Sequence, residues 1–302
     1  MLYCENPDWK DVTPVPQDDG ANPLVPIAYA EYYKDAMDYF RAVIRTDEKS
    51  ERVLLLTQDI IDMNPAHYTV WNYRQNVLFA LNKDLNEELD YIDSIAADQA
   101  KNYQVWHHRQ VVVDKLNTGD RELSFINSIL ENDSKNYHGW SYRQWVVKRF
   151  GLWENELTYT SDLILYDVRN NSAWNYRYYV LFENPTKPTE EMIEKEIEFC
   201  EKQIRLAPNN SSSWSYLKAL LEASNKSLDT MEPLLKELVD IQVESPYILS
   251  AYVDIYEQRA KKSETPIDPA ALEMCDELST KLDIIREKYW NFRKEKLCKL
   301  NA

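Results

Sequence analysis

The chain has 302 residues, 44% of them apolar, and a formal charge of 35 − 51 = −16. This length can bury a substantial core in one or two domains. The acidic surface repels nucleic acid and anionic membranes at long range, so an anionic ligand would need a local basic patch. No run of about 18 apolar residues occurs, and the sequence therefore predicts no membrane-spanning helix.

Residues 1–28 are rich in Pro and Asp and lack an apolar core segment, so we expect an extended or poorly ordered segment and no signal peptide. The chain contains only four glycines, too few for a typical β-rich or dinucleotide-binding fold, and this favours helices. The cysteines are sparse and form no CxxC pair, which is typical of a reducing cytoplasm: Cys4, Cys200, Cys275 and Cys298.

Residues 29–50 predict a leading helix and its loop, and a repeated pattern follows. The string KNYQVWHHR at 101–109 returns as KNYHGWSYR at 135–143, 34 positions later. Trp recurs with spacings of 35, 34, 34 and 40, and the string NPTKPT at 184–189 is an insertion that lengthens the last interval: Trp71, Trp106, Trp140, Trp174 and Trp214. A fixed period of this kind predicts tandem structural repeats.

Each repeat reads as two helices joined by short turns. Arg stands three residues after the first four Trp, and an apolar residue stands seven after each of the five, so these positions share one helix face. A Glu 18 residues before each of the last four Trp opens a second amphipathic stretch. We therefore predict an all-α protein, an α-α superhelix (solenoid) of stacked helical hairpins with a crescent shape.

The predicted domain organisation has one main domain. Residues 29–302 form a single helical-repeat domain after the segment 1–28, with clear repeats over about 53–221. Tyr252, 38 residues after the fifth Trp, marks a degenerate repeat, and a closing helix or helix pair follows within 222–302. We assign the five Trp to packing between repeats and expect each Arg to lie along that Trp and pair with an acid of a neighbouring repeat.

Packing does not explain the residues just ahead of each Trp. A basic residue precedes the Asn of three consecutive repeats, at the expected N-terminal ends of their second helices: Lys101, Lys135 and Arg169. Helix N-termini favour anions through free N–H groups and the macrodipole. Turn lysines are more often only solvated, but Lys101 stands beside Tyr103, Gln104 and His107, which makes it the best candidate for an anion site.

The repeated NYxxWxxR units, and the opening WKDVTPVPQDDGANPLVPIAY, resemble those of protein prenyltransferase α subunits. The similarity is greatest to the α subunit shared by protein farnesyltransferase and type I geranylgeranyltransferase, strongly over about residues 9–220 and weakly beyond. It implies a crescent wrapped around a separate β subunit in an obligate heterodimer. That pair transfers a farnesyl or geranylgeranyl group from its diphosphate to the Cys of a C-terminal CaaX sequence, and the β subunit holds zinc, with magnesium as a further candidate cofactor.

The resemblance also implies roles for individual residues. Lys101 matches a lysine that contacts the isoprenoid diphosphate, and Tyr103 and His138 match residues beside that diphosphate. Gln104 matches the glutamine that binds the CaaX carboxylate, and Tyr68 matches a tyrosine lining the pocket for the last CaaX residue. Two more residues of the motif are expected to support the turn: Asn136 and Tyr137.

Other chemistry is not indicated. His107 and His108 are adjacent and would point about 100° apart on a helix, so they cannot chelate one metal together. We therefore predict that this chain binds no catalytic zinc by itself. Two alternatives stay open: a non-catalytic tetratricopeptide-like scaffold with the same period, and an α subunit of Rab geranylgeranyltransferase, for which the added domains have no room among the repeats.

Overall fold

The computed structural model describes residues 1–301, which contain α-helices, short 3₁₀ turns and one π turn but no β-strand. Contacts between residues divide the chain into two compact units, Met1–Gly151 and Leu152–Ala302. The first unit contains seven α-helices: α1 Glu31–Thr46, α2 Glu51–Met63, α3 Tyr68–Ala80, α4 Leu85–Asp98, α5 Tyr103–Leu116, α6 Glu122–Asn132 and α7 Tyr137–Phe150.

In the first unit, each repeat is an antiparallel hairpin of neighbouring helices. The helix α2 packs on α3, α4 on α5, and α6 on α7, while the second helices also touch in the order α3, α5, α7. The leading helix α1 packs on α2. These contacts confirm the predicted reading of two helices per repeat.

The second unit continues the hairpins, with α8 packed on α9, α10 on α11, and α9 on α11. Its helices are α8 Glu156–Tyr166, α9 Asn171–Glu183, α10 Glu190–Leu206, α11 Ser211–Ala223, α12 Glu232–Asp240, α13 Pro246–Ser263, α14 Pro269–Glu277 and α15 Glu287–Cys298. The predicted insertion at 184–189 forms the loop between α9 and α10. The C-terminal stretch is a helix pair, α14 and α15, joined by the π turn Leu278–Leu282 and a short 3₁₀ turn.

The first residues of the chain are packed rather than extended. Two 3₁₀ turns, Tyr3–Glu5 and Pro7–Trp9, bury the rings of Tyr3 and Trp9 against Tyr39. The Tyr3 hydroxyl donates to the Asp59 carboxylate at 2.6 Å. Burial of two aromatic rings offsets the entropy cost of ordering these residues. The expectation of an extended segment rested on its polar composition, which does not show this packing. Residues 13–30 carry no helix.

All five repeat Trp are buried, as predicted, and each makes the same hydrogen bond. The indole Nε1–H donates to the backbone carbonyl six residues earlier, at 2.8 or 2.9 Å: Trp71 to Pro65, Trp106 to Ala100, Trp140 to Ser134, Trp174 to Val168 and Trp214 to Pro208. This bond ties the second helix to the turn that precedes it. A Phe would fill the space but could not hold the turn.

Three repeat Arg side chains pair with a buried acid of the next repeat, as predicted: Arg74, Arg109 and Arg177. Arg109 donates to both oxygens of Glu122, at 2.7 and 2.9 Å, and both side chains are about 1% exposed. Its guanidinium stacks on the Phe125 ring, 3.5 Å from the centroid, rather than on the Trp of its own helix. Arg74 with Glu88 and Arg177 with Glu196 repeat the arrangement, stacked on Tyr91 and Phe199.

A third group completes each buried pair. The Tyr142 and Tyr216 hydroxyls donate to Glu122 and Glu196, each at 2.7 Å, from the second helix of the acid's own repeat. In the repeat formed by α4 and α5, His108 takes the tyrosine's place and bonds Glu88 through Nε2 at 2.8 Å. Burial lowers the pKa of His108 despite this bond, so the ring is a neutral donor at neutral pH, equivalent to a tyrosine hydroxyl.

Candidate functional site

The turn ahead of α5 carries Lys101 and is held from two repeats. The Ala100 carbonyl accepts Trp106 Nε1–H at 2.8 Å and the side-chain amide of Asn136 at 3.1 Å. Asn102 caps α5, because its side-chain oxygen accepts the Gln104 N–H at 2.9 Å. Three hydrogen bonds therefore fix the backbone on both sides of Lys101.

The Lys101 side chain lies at the surface, with 78% of its area exposed, and its Nζ is 3.2 Å from an Asp133 carboxylate oxygen. An exposed pair of this kind contributes little and can exchange for another anion. Lys101 lines a cleft of about 570 Å³ together with Tyr103 and Gln104. The ammonium is therefore accessible beside a helix N-terminus, where an anion is favoured.

Tyr103, Tyr137 and His138 form an aromatic cluster at the N-termini of α5 and α7. The Tyr103 and His138 rings meet edge to face, with centroids 4.3 Å apart, and Tyr137 lies 5.6 Å from the same imidazole. Burial lowers the pKa of His138, and a backbone hydrogen bond with Lys101 acts in the opposite direction. His138 is therefore neutral at neutral pH, with its single N–H directed to the Lys101 backbone, while both phenols, about 70% exposed, offer hydroxyls.

Gln104 and Tyr68 lie on one cleft of about 350 Å³ between α3 and α5. No hydrogen bond to the Gln104 side-chain amide occurs within residues 1–301, so the group is available to a ligand. Tyr68 is 70% exposed and opens α3. Together the two side chains present a polar amide beside an apolar ring.

Three clefts share residues and make one candidate site. Gln104 belongs to the first two clefts described above, and Tyr103 joins the Lys101 cleft to a third, of about 290 Å³, that contains Tyr137 and His138. Asn136 is 2% exposed and supports the turn from beneath, with its oxygen accepting the Gly139 N–H at 2.9 Å. The seven residues given site roles from the sequence thus lie at the N-termini of α3, α5 and α7, whereas Arg169 precedes α9 and lines none of these clefts.

Sequence reasoning missed part of the lining. Polar residues one or four positions after a repeat Trp face these clefts, and four of them were not singled out from the sequence: Asn72, Gln75, Gln110 and Ser141. His107, named from the sequence as a neighbour of Lys101, shares their spacing. Their common spacing places them on one face of each second helix. The sequence did contain a signal for these lining residues, because polar residues recur at this spacing in three consecutive repeats.

The two adjacent histidines serve different environments. His107 is exposed and faces the clefts, whereas His108 is buried on Glu88. Across residues 1–301 there is no group of three or more His, Cys, Asp or Glu side chains arranged to hold a metal ion. Nor does any helix in that part of the chain combine the length and hydrophobicity that crossing a membrane requires.

Fold and site together define a class: a protein of tandem helical hairpins with a cationic, aromatic site at the N-termini of consecutive second helices. The description "Protein prenyltransferase alpha subunit repeat" fits residues 50–81, 85–116, 120–150, 153–184 and 193–224, more than half of the chain. The chain belongs to the protein prenyltransferase α-subunit family, and its activity is that of one subunit of a prenyl-transferring enzyme.

Two curated relatives carry the name "Protein farnesyltransferase/geranylgeranyltransferase type-1 subunit alpha". The Schizosaccharomyces pombe protein is 51% identical over 86% of this chain and 90% of its own length, and that of Dictyostelium discoideum is 38% identical over 96% and 92%. Among solved structures, Candida albicans protein geranylgeranyltransferase-I complexed with GGPP matches with a TM-score of 0.87 and 33% identity, over 97% of this chain and 99% of that one.

Proposed function

We propose that this chain works as the α subunit of a CaaX protein prenyltransferase, active only when paired with a β subunit. The pair transfers a farnesyl or geranylgeranyl group from its diphosphate to the Cys of a C-terminal CaaX sequence. One observation carries the proposal: Lys101, Tyr103, Gln104, Tyr68 and His138 line adjoining clefts at three helix N-termini. The GGPP of the similar C. albicans complex supports an isoprenoid diphosphate as ligand.

The proposed role of Lys101 is to bind the diphosphate and stabilise it as a leaving group. Negative charge accumulates on the diphosphate as the bond from carbon to oxygen breaks, and a fixed ammonium stabilises that charge most in the transition state. Tyr103 meets His138 edge to face beside Lys101 and can donate its hydroxyl to the same phosphate oxygens. The neutral His138 ring directs its N–H to the Lys101 backbone, so it donates to the diphosphate through its second nitrogen, once the bound anion favours the protonated ring. These three residues are our catalytic set.

The proposed role of Gln104 and Tyr68 is to bind the protein substrate. The free side-chain amide of Gln104 can donate to the C-terminal carboxylate of the CaaX sequence. Tyr68 shares that cleft and supplies a ring against the last CaaX side chain. Asn136 and Tyr137 support the site, the first through the Lys101 turn and the second through its contact with His138.

A catalytic zinc does not fit this chain, because residues 1–301 bring together no set of three His, Cys, Asp or Glu ligands. Magnesium, which binds mainly through phosphate oxygens and water, is the further cofactor that we propose. We propose that the zinc is held by the β subunit. The lipid pocket of that subunit also sets the length of the isoprenoid that is transferred. Free thiols at all four cysteines suit a cytoplasmic enzyme, which is the location we propose.

The test is co-expression with a farnesyltransferase β subunit and, separately, with a type I geranylgeranyltransferase β subunit. Each purified product is assayed for prenyl transfer to a CaaX peptide, with the chain alone as control. We expect activity with both partners and none without them. Folded chain that assembles with neither partner would leave the alternative of a helical-repeat scaffold, and activity only on Rab proteins with a Rab-specific β subunit would establish the other alternative.

A further inference from the structure

A second cleft lies in the unit Leu152–Ala302, and none of the candidate site residues belongs to it. It has a volume of about 440 Å³ and opens between α11, α13 and α15. Two features distinguish it from ordinary surface: an excess of cationic side chains around two carboxylates, and exposed aromatic rings at its edge.

The floor of the cleft is an ion-pair network on α13. Asp254 pairs with Lys218 at 2.8 Å and with Arg293, and Arg293 also reaches Glu257 at 2.8 Å. Both carboxylates are only 12% exposed, so the network is organised before any ligand arrives. Arg293 spans the two acids and fixes α15 against α13.

Two further cations share the other oxygen of Glu257, which Arg293 does not contact. Lys261 Nζ lies 2.6 Å from Glu257 Oε1, and Lys296 Nζ lies 3.9 Å from that same oxygen. Four cations therefore surround two carboxylates. Glu222 at the rim brings the lining to four cationic and three anionic side chains, a balance of 4 − 3 = +1 in a chain of −16.

The helix beside this cleft is the basic part of an acidic chain. Residues 286–299 contain six Lys or Arg and two Glu, a charge of 6 − 2 = +4. Its rings at the cleft are unusually exposed, with Phe292 64% and Tyr289 46% accessible. Exposed aromatic rings next to cations are typical of binding surfaces, because they supply apolar contact at a low cost in side-chain entropy.

We propose that this cleft binds an acidic peptide segment of a partner protein. A carboxylate of the segment sits between Lys261 and Lys296, which share a single oxygen of Glu257. An adjacent apolar side chain packs on Phe292 and Tyr289. Asp254 and Glu257 in the floor repel a dianionic phosphate more strongly than a single carboxylate, which favours an acidic side chain. The concave shape favours a peptide over the flat surface of a bilayer.

The test uses the full chain, in complex with whichever β subunit it assembles with. The probe is a fluorescein-labelled hexapeptide, Glu-Asp-Leu-Phe-Glu-Asp, followed by fluorescence anisotropy, and a Gln-Asn-Leu-Phe-Gln-Asn peptide is the neutral control. We expect Lys296→Glu to weaken binding by about tenfold, since it reverses the charge that the carboxylate meets. Phe292→Ala should weaken it by about fivefold through lost apolar contact.

Lys288→Glu is the matched control, because Lys288 is exposed on the same helix but does not line the cleft. It should change the affinity less than about twofold, and prenyl transfer should be unaltered in all three variants. The proposal is overturned by equal effects of the two charge reversals, by equal binding of the neutral peptide, or by no binding at all. Binding to phosphatidylserine vesicles that Lys296→Glu abolishes, with no peptide binding, would assign the cleft to a membrane instead. A failure here leaves the prenyl-transfer assay untouched, so the two proposals are tested separately.

Discussion

The side-chain amide of Asn136 donates to the carbonyl of Ala100, the residue just before Lys101, at 3.1 Å. A residue of the third repeat thereby fixes the turn that carries the candidate catalytic lysine of the second. Asn210 makes the equivalent bond to the Val168 carbonyl at 2.6 Å, in a part of the chain without the candidate site. The repeat architecture thus supplies an internal control for each positioning contact.

Replacing Asn136 with Asp should separate positioning from stability. Aspartate caps a helix as well as asparagine does, but it cannot donate to the Ala100 carbonyl. We expect kcat for prenyl transfer to fall about tenfold, because the Lys101 turn loses one anchor. The buried carboxylate then faces a carbonyl oxygen, so the unfolding temperature should also fall, and by a similar amount in Asn210→Asp. Asn210→Asp should leave kcat unchanged, and equal losses in both variants would show that Asn136 acts only on stability.

The tryptophan hydrogen bonds allow an independent test of the same turn. Trp106→Phe and Trp174→Phe each remove one indole donor, to Ala100 and Val168 respectively. Each should lower the free energy of unfolding by a similar amount, about 1–3 kcal/mol, measured by urea denaturation. Only Trp106→Phe should also lower kcat. A larger fall in kcat for Trp174→Phe would contradict the placement of the catalytic site beside Lys101.

Lys101→Ala should leave assembly with the β subunit intact and slow turnover. Its pair with Asp133 is exposed, so stability should barely change, whereas loss of a transition-state contact should lower kcat about tenfold to a hundredfold. Single-turnover kinetics with a CaaX peptide measure the step directly. Lys135→Ala, one repeat further on, is the matched control, and unchanged turnover in the Lys101 variant would remove that residue from the mechanism.

Gln104→Ala in the same assay should raise the KM for the peptide and leave the KM for the isoprenoid diphosphate unaltered. The reason is that the proposed contact of Gln104 is with the peptide carboxylate, which the substitution leaves without a donor. A change confined to the diphosphate would reverse this assignment.

The buried Arg109–Glu122 pair should be costly to break from one side. Arg109→Met leaves the Glu122 carboxylate about 1% exposed with only Tyr142 to donate to it, and should destabilise the chain by about 3–5 kcal/mol. The double variant Arg109→Met with Glu122→Gln removes the unpaired charge and should recover at least half of that loss. The measurement is thermal unfolding of the original protein, the single variant and the double variant. A double variant no more stable than the single one would show that the unpaired charge is not the source of the loss.

His108 should make stability fall in mildly acidic solution. Burial lowers its pKa in the folded chain, so the unfolded chain, with an ordinary histidine pKa of about 6.5, binds more protons below that pH. Stability therefore rises with pH in this range and is lost as pH falls through about 6.5, by at most about 1.4 kcal/mol per pH unit for one such group. Unfolding measured between pH 8 and pH 5.5 gives the slope.

His108→Tyr supplies the control for that slope. Tyr142 and Tyr216 already donate to the equivalent acids in other repeats, so a tyrosine should fit and keep Glu88 paired. The variant should match the original protein at pH 8 and lose less stability on acidification. Burial also lowers the pKa values of His67 and His138. The variant should therefore still lose some stability as the pH falls. An unaltered slope would exclude His108 as its source.

The sequence by itself determined the repeat, its period and its helical hairpins, because the Trp, Arg and Glu recur at spacings that only stacked helices satisfy. The repeated NYxxWxxR motif also identified the family and the residues of the candidate site. The pairing of Arg109 with an acid of the next repeat was also predictable, since a buried guanidinium requires a carboxylate.

Only the tertiary structure decided which groups meet. The sequence gives no sign that Trp106 and Asn136 bond the same carbonyl, that His108 replaces a tyrosine on Glu88, or that Tyr3 and Trp9 pack on α1. Nor does it bring α11, α13 and α15 around one cleft. Periodicity reports which face of a helix is buried, whereas hydrogen bonds between repeats depend on distances of a few tenths of an ångström that packing alone sets.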